Sequence, residues 1–361
     1  MRNGYFAQGI NCRSLDESLQ FYVDVLGFVK AGPGSDTLRQ HPEHGAHIAD
    51  LEKRVLPALF GVEEDVRFRS QLVSVIGSTD TCYELFEWVN PTWVDDEPYT
   101  VSNHVGAFRS AVATDDFALV QQRLRDYGAN FLSEETDWWD SDKPNATKDN
   151  VTYTKYISVR DPNGLLLQIK EVPNLGEKQP GHLIRMVRHR EINVIDIDET
   201  VKFYTDLIGF DLVAPTKDGT IPLFSELPKL QPENFTQDYI DELSTRCLQD
   251  FFGYTDVERC DFKATYVRPP GSSQNLDLFQ WVAPKAVGRA YASPRHVGFQ
   301  RILITHDDFA GAQRRLLASD ATIVCEGVDL PPIPLPGHDT VARVAMSVLD
   351  PNGVMIVLLG E

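Results

Sequence analysis

The chain has 361 residues, 42 % of them hydrophobic and 24 % charged, with 34 Lys and Arg against 53 Asp and Glu for a formal net charge of −19. This is the composition of a core-forming globular chain of about two to three domains. The acidic surplus excludes a binder of phosphate backbones, which needs clustered cations, and equally an anionic membrane surface. With no apolar core of signal-peptide length near its start and no long apolar run, a cytoplasmic location is expected. Five scattered cysteines (Cys12, Cys82, Cys247, Cys260, Cys325) without CxxC spacing fit a reducing compartment and exclude a disulfide framework or Cys-rich zinc site. Acceptor tripeptides at Asn145, Asn150 and Asn234 therefore read as chance matches.

In chain order, an apolar strand near residues 6–12 leads into a helix with Leu15, Leu19, Tyr22 and Leu26 on one face. Ser14 and Glu17 have capping-box spacing and Gly27 fits the C-terminal stop. The insert HPEHGAHIADLEKRVLPALFG adds a helix, while its His41, His44 and His47, beside Pro42 and Gly45, read as solvated loop positions. Strand-like segments follow, ending at YELFEW from Tyr83, and then a strand AFRSAVAT and a helix beginning at Phe117. Trp138 and Trp139 fall in a connecting loop, read either as a substrate or partner contact or as packing on the companion half. DPNG at Asp161 is a turn between two strands and carries no catalytic weight. The stretch Glu171–His182 has the Pro, Gly and charge of a linker.

Beyond the linker the same pattern starts again. SLDESLQFYVDVLGF from Ser14 recurs as DIDETVKFYTDLIGF from Asp196, and YELFEWVNP from Tyr83 as LDLFQWVAP from Leu276. HVGAFRSAVATDDF from His104 recurs as HVGFQRILITHDDF from His296, and DPNGLLLQI from Asp161 as DPNGVMIVL from Asp350. Four matches in unbroken order make two homologous halves. The division expected is residues 1–174, a linker at 175–182, and residues 183–361. Each half holds a smaller repeat, so strand–helix–three strands occurs four times. Tyr22, Tyr204, Phe21 and Phe203 read as core, His104 and His296 as fixing the start of a strand, and His306 and His338 as surface.

The FYxDxLGF helix, the ELFEW strand, the GxxRxxxxxxDDF unit and the terminal DPNG hairpin together resemble the vicinal oxygen chelate superfamily. That superfamily includes glyoxalase I, extradiol dioxygenases and bleomycin-resistance proteins. The resemblance implies an α+β fold of four βαβββ modules, forming two tandem glyoxalase-like domains with curved mixed sheets, one cup per half. It also implies metal ligands on the first and last strands of paired modules. At those positions stand Ala7, Glu84, Arg109 and Gln168 in the first half, and His189, Asp277, Arg301 and Val357 in the second. A guanidinium cannot ligate a cation. The expectation is therefore no metal, or one divalent ion (Fe, Mn, Ni or Zn) in the second half on His189 and Asp277, with Glu191 or solvent helping. A cross-pairing of the second and third modules would instead collect His189, Asp277 and Gln168.

Because the same departure occurs in both halves, Glu84 with Arg109 and Asp277 with Arg301 are expected as ion pairs in the space of a metal. They read either as catalytic groups that bind a carboxylate or enolate, or as structural salt bridges. Trp88 and Trp281 share strand parity with Glu84 and Asp277 and are expected to wall the cups against a flat substrate, with Gln168 and Glu191 also facing it. Two function classes follow. One is an enzyme, of lyase, isomerase or dioxygenase type, acting on a small oxygenated or aromatic metabolite. The other is a metal-free small-molecule binding or sequestering protein. Either would be a monomer or homodimer without a nucleic-acid or membrane partner.

Overall fold

The computed structural model describes all residues except 1–3, 78–81, 95–98, 100, 141–151, 174, 176–180, 214–218, 273 and 335–340. His338, Asn145, Asn150 and most of the linker lie outside the described residues. The first module contributes β1 (Gly4–Cys12), β2 (Val29–Lys30), β3 (Arg67–Ser74) and β4 (Cys82–Asn90). The second contributes β5 (Phe108–Thr114), β6 (Asn130–Phe131), β7 (Thr136–Asp140), β8 (Thr152–Arg160) and β9 (Leu166–Glu171). The third holds β10 (Met186–Asn193), β11 (Asp211–Leu212), β12 (Asp261–Arg268) and β13 (Leu276–Ala283). The fourth holds β14 (Gly298–Thr305), β15 (Thr322–Pro334), β16 (Val341–Leu349) and β17 (Met355–Gly360).

Local chemistry sets the module helices as the sequence suggests. Ser14 Oγ accepts from the Glu17 amide at 3.3 Å, and Asp196 Oδ1 accepts from Asp198 and Glu199 at 2.9 and 3.0 Å. Gly27 and Gly209 end the two helices with φ of 77° and 91°, a backbone that a side chain would strain.

The four modules assemble across the halves. One sheet runs β15-β16-β17-β14-β1-β4-β3-β2 and the other β11-β12-β13-β10-β5-β9-β8-β6. The first strands of the modules meet antiparallel at the centre, β1 with β14 and β5 with β10. The expectation of one cup per half is thus corrected: the first cup joins modules one and four, and the second joins modules two and three. The repeat boundary is not a boundary between cups.

The backs of both sheets share one core with the module helices, including Tyr22, Val112, Tyr204 and Ile304. The concave faces are covered by the inserts: the helical segments from Pro42 to Phe60 on the first cup, and those from Gln237 to Phe252 on the second. The HPEHGAH segment is helix, not loop, since Pro42 is tolerated in the first turn and His41 caps it, its Nδ1 accepting from the Glu43 amide. The paired tryptophans sit on β7, which pairs with β8. Trp139 is buried, edge-on to Tyr239 of the second half's insert, so packing on the companion half is the reading that the structure carries.

The DPNG turns tie the two sheets together. Asp161 Oδ1 accepts from the Leu165 and Asn163 amides at 2.7 and 2.9 Å, and its Oδ2 accepts from the Tyr22 hydroxyl at 3.0 Å. Asp350 repeats the arrangement with Val354, Asn352 and Tyr204. Burial pushes Asp161 up to about 6, against the pull of those bonds. A carboxyl raised on folding binds its proton more readily in the native state, so its stabilising contribution is present at low pH and lost as pH rises through about 6. Asp161→Asn is expected to be destabilising, because its amide donor meets the Tyr22 and Asn163 donors. In urea titrations the gap to wild type should widen by about 1 kcal/mol between pH 7 and pH 5. A constant gap across that range would mean that Asp161 stays ionised.

Candidate functional site

Strand alternation places the residues at issue on the concave faces. In the first cup these are Ala7, Glu84, Arg301 and Val357. The Arg301 guanidinium is buried and bonds Glu84 Oε2 through Nε at 2.9 Å and Nη2 at 2.6 Å, with Nη1 on Asn11 Oδ1 at 3.0 Å. Phe60 and Phe86 flank it, their ring centroids 4.9 and 4.7 Å from Cζ. A cavity of about 330 Å³ lies above this floor.

In the second cup Arg109 bonds Glu191 Oε2 through Nε at 2.8 Å, and its Nη1 bonds Asn193 at 2.7 Å and the Ser102 carbonyl at 3.1 Å. Phe252 and Phe279 flank it at 4.7 Å each. His189 Nδ1 lies 2.8 Å from Asp277 Oδ2. The expected pairs Glu84–Arg109 and Asp277–Arg301 are therefore corrected to Glu84–Arg301 and Glu191–Arg109, because the modules pair across halves. Both guanidinium groups are held by carboxylate and amide oxygens between aromatic rings.

One repeat position makes the cups differ. Gly9 is in register with Arg301 on one side and Glu84 on the other. A Cβ there would come within 2.4 Å of Arg301 Cγ, so only glycine lets the guanidinium cross to Glu84. The equivalent residue in the second cup is Glu191, in register with Arg109 and Asp277. Glu191 takes the guanidinium itself and leaves Asp277 to His189.

Ligand atoms of His189, Glu191 and Asp277 consequently lie within 4.8 Å of one another, the one such group of His, Cys, Asp and Glu found among the described residues. The His189 side chain is 42 % exposed whereas Asp277 is buried at 6 %, so the imidazole forms the solvent side of the cluster. Burial lifts Asp277 to about 6. Burial also opposes the imidazolium of His189, but the hydrogen bond and charge of Asp277 outweigh it and hold His189 above its usual value. His189 and Gln168 are each in register with Ala111, so Gln168 faces the same cup two strands away. Gln168 is buried, and both its amide atoms lack a hydrogen-bond partner among the described residues.

Trp281 is buried, with Nε1 on Asn193 Oδ1 at 2.9 Å, and Trp88 is equally buried outside the residues that line the first cavity. Their parity places them on the concave faces, but as packing beneath the inserts instead of open walls. Asn11 and Asn193 hold the two guanidinium groups and occupy the same repeat position, 182 residues apart; strand alternation puts Asn193 on the cup face. Tyr266 was missed. It pairs with Asp277 across β12 and β13, and burial first, then the charges of Asp277 and Glu191, raise its hydroxyl. His306 is buried with Nε2 2.8 Å from the Ile208 carbonyl, not a surface residue as expected.

Residues 186–358 match the family model of the Glyoxalase/Bleomycin resistance protein/Dioxygenase superfamily. That segment supplies one module to each cup. Among solved structures, glyoxalase I from Zea mays is similar over 99 % of this chain and 92 % of its own, at 15 % identity and a TM-score of 0.53. A "putative dioxygenase" from Bacillus subtilis is similar over 99 % of this chain and 86 % of its own, at 13 % identity and a TM-score of 0.51. At such identities the likeness is one of fold. Among curated proteins, none matches the sequence. Residues 186–358 thus carry the pattern of the Glyoxalase/Bleomycin resistance protein/Dioxygenase superfamily, and the whole chain has the glyoxalase-like fold, its four modules closing two cups.

Proposed function

We propose that the chain is a small-molecule enzyme of the vicinal oxygen chelate type, with its reaction centre in the second cup. The observation that carries this reading is the convergence of His189, Glu191 and Asp277 beside the unpartnered amide of Gln168. One imidazole and two carboxylates suit Mn, Fe, Ni or Zn. Such an ion, when bound, supplies Lewis acidity toward two adjacent oxygens of an oxygenated or aromatic substrate.

The chain's own residues then have distinct tasks. Arg109, with Nε on Glu191 and Nη1 on Asn193 and Ser102, is a positioning residue that keeps Glu191 aimed. Its hydrogen bond through Nε and its ion contact through Nη2 both fall on Glu191 Oε2, which leaves Oε1 for the centre. Tyr266, raised and hence protonated, is a donor next to Asp277. Gln168 offers one donor and one acceptor to a substrate. Glu84 and Arg301 belong to the other cup and take no part in this chemistry.

A lyase, isomerase or dioxygenase reaction is compatible with this donor set, and the metal that binds would separate them. Because one chain completes both cups, a monomer and a homodimer serve equally. No helix among the described residues is long and apolar enough to cross a membrane, and we read the location as cytoplasmic. Metal analysis and calorimetric titration of the full chain with Mn²⁺, Ni²⁺, Zn²⁺ and anaerobic Fe²⁺ test the proposal. One ion per chain, lost in His189→Ala, is expected. No binding, or binding indifferent to His189→Ala, would overturn it.

A further inference from the structure

We propose that the first cup is a second, metal-independent binding site, for a neutral and largely apolar molecule that carries a hydroxyl or another single hydrogen-bond donor. This goes beyond the metal reading and does not depend on it. The cavity of about 330 Å³ falls at the small end of small-molecule sites, about 300–1,000 Å³. An apolar void of about 150 Å³ holds benzene, so one about twice as large suits a bicyclic aromatic or a short branched chain.

Its walls are mostly apolar, with Leu38, Ile48, Phe68, Leu303 and Val357 among them and Gln71 a polar exception. The half-buried His44 and His47 and the exposed Gly32 and Pro33 lie at its opening. Ala7 and Val357 stand where His189 and Gln168 stand in the other cup, and neither can ligate an ion. An anion finds no anchor either, since the Arg301 guanidinium is spent on Glu84 and Asn11 and enclosed by Phe60 and Phe86.

The ion pair on the floor leaves one carboxylate oxygen open. Both Arg301 bonds fall on Glu84 Oε2, and Oε1 accepts from no described residue while Glu84 lines the cavity. An acceptor on an ion pair that is neutral overall, beneath an apolar chamber, selects a donor on an apolar body.

Calorimetric titration of the full chain with 2-naphthol, naphthalene and 2-naphthoate reads this chemistry directly. The expected result is one 2-naphthol per chain, bound at least about tenfold tighter than either comparator and saturating below about 1 mM. Leu38→Trp, on a half-buried helix at the cavity wall, should weaken 2-naphthol at least about tenfold by filling the chamber. The comparison of ligands on the unaltered chain decides the matter should that variant fail to fold. His189→Ala should leave 2-naphthol binding unchanged, which separates this site from the metal centre. No saturation, tighter binding of the carboxylate, equal binding of naphthalene, or loss in His189→Ala would each overturn the proposal.

Discussion

Glu84→Ala is expected to lower the unfolding free energy by about 3–5 kcal/mol, the cost of leaving a buried charge without its partner. The Arg301 side chain is 2 % exposed, and among the described residues its bonds to Glu84 are its only contacts with an acid. Removing the carboxylate leaves the guanidinium between Phe60 and Phe86 with Asn11 as its remaining hydrogen-bond partner among the described residues. Replacing both partners, Glu84→Leu with Arg301→Met, is expected to be neutral or stabilising by about 1–4 kcal/mol, because the desolvation of two charges disappears together. The two variants therefore bracket the same interaction from opposite sides. Guanidinium denaturation followed by near-ultraviolet circular dichroism measures both. A loss below about 1 kcal/mol in Glu84→Ala would mean that Arg301 swings out to solvent, and the account of a sealed floor would fail.

Much of this was legible in the sequence, and the reasons are local. A repeated helix stripe, a repeated cap at Ser14 and Asp196 and a repeated DPNG turn define each module from within, so four βαβββ units follow from short-range pattern alone. Which modules pair does not. Arg109 and Arg301 are equivalent by repeat, and either would fit opposite Gly9 or Glu191. The choice rests on long-range contacts such as the Asn11 amide donating to the Pro294 and His296 carbonyls at 2.7 and 2.8 Å. The residue types at the site were therefore identified while two of their partners were exchanged. His189 with Asp277 was found because both lie within one module, where spacing along the chain does constrain distance. The cover over the first cup was half legible: its insert reads as a helix, but nothing in HPEHGAH marks His44 and His47 as facing a cavity.

Metal affinity in the second cup is expected to rise with pH by about tenfold per unit until the His189–Asp277 pair has lost its proton, and then to level off. The direction follows from what the pair holds in common. Asp277 keeps His189 above its usual value, while burial raises Asp277 to about 6, so the two share a proton that an incoming cation must displace. Below about pH 6 the carboxyl takes up a proton of its own and the dependence steepens. Asp277→Asn removes the charge that favours the imidazolium. Its affinity should be lower by at least about 100-fold, beyond the 10–100-fold of a supporting residue. Its pH dependence should nevertheless be shallower, since fewer protons compete for the site. Titration of both proteins with Mn²⁺ at pH 5.5, 6.5 and 7.5 separates these effects. Parallel slopes would show that Asp277 only orients His189, whereas a shallower slope together with the affinity loss identifies Asp277 as a ligand in its own right.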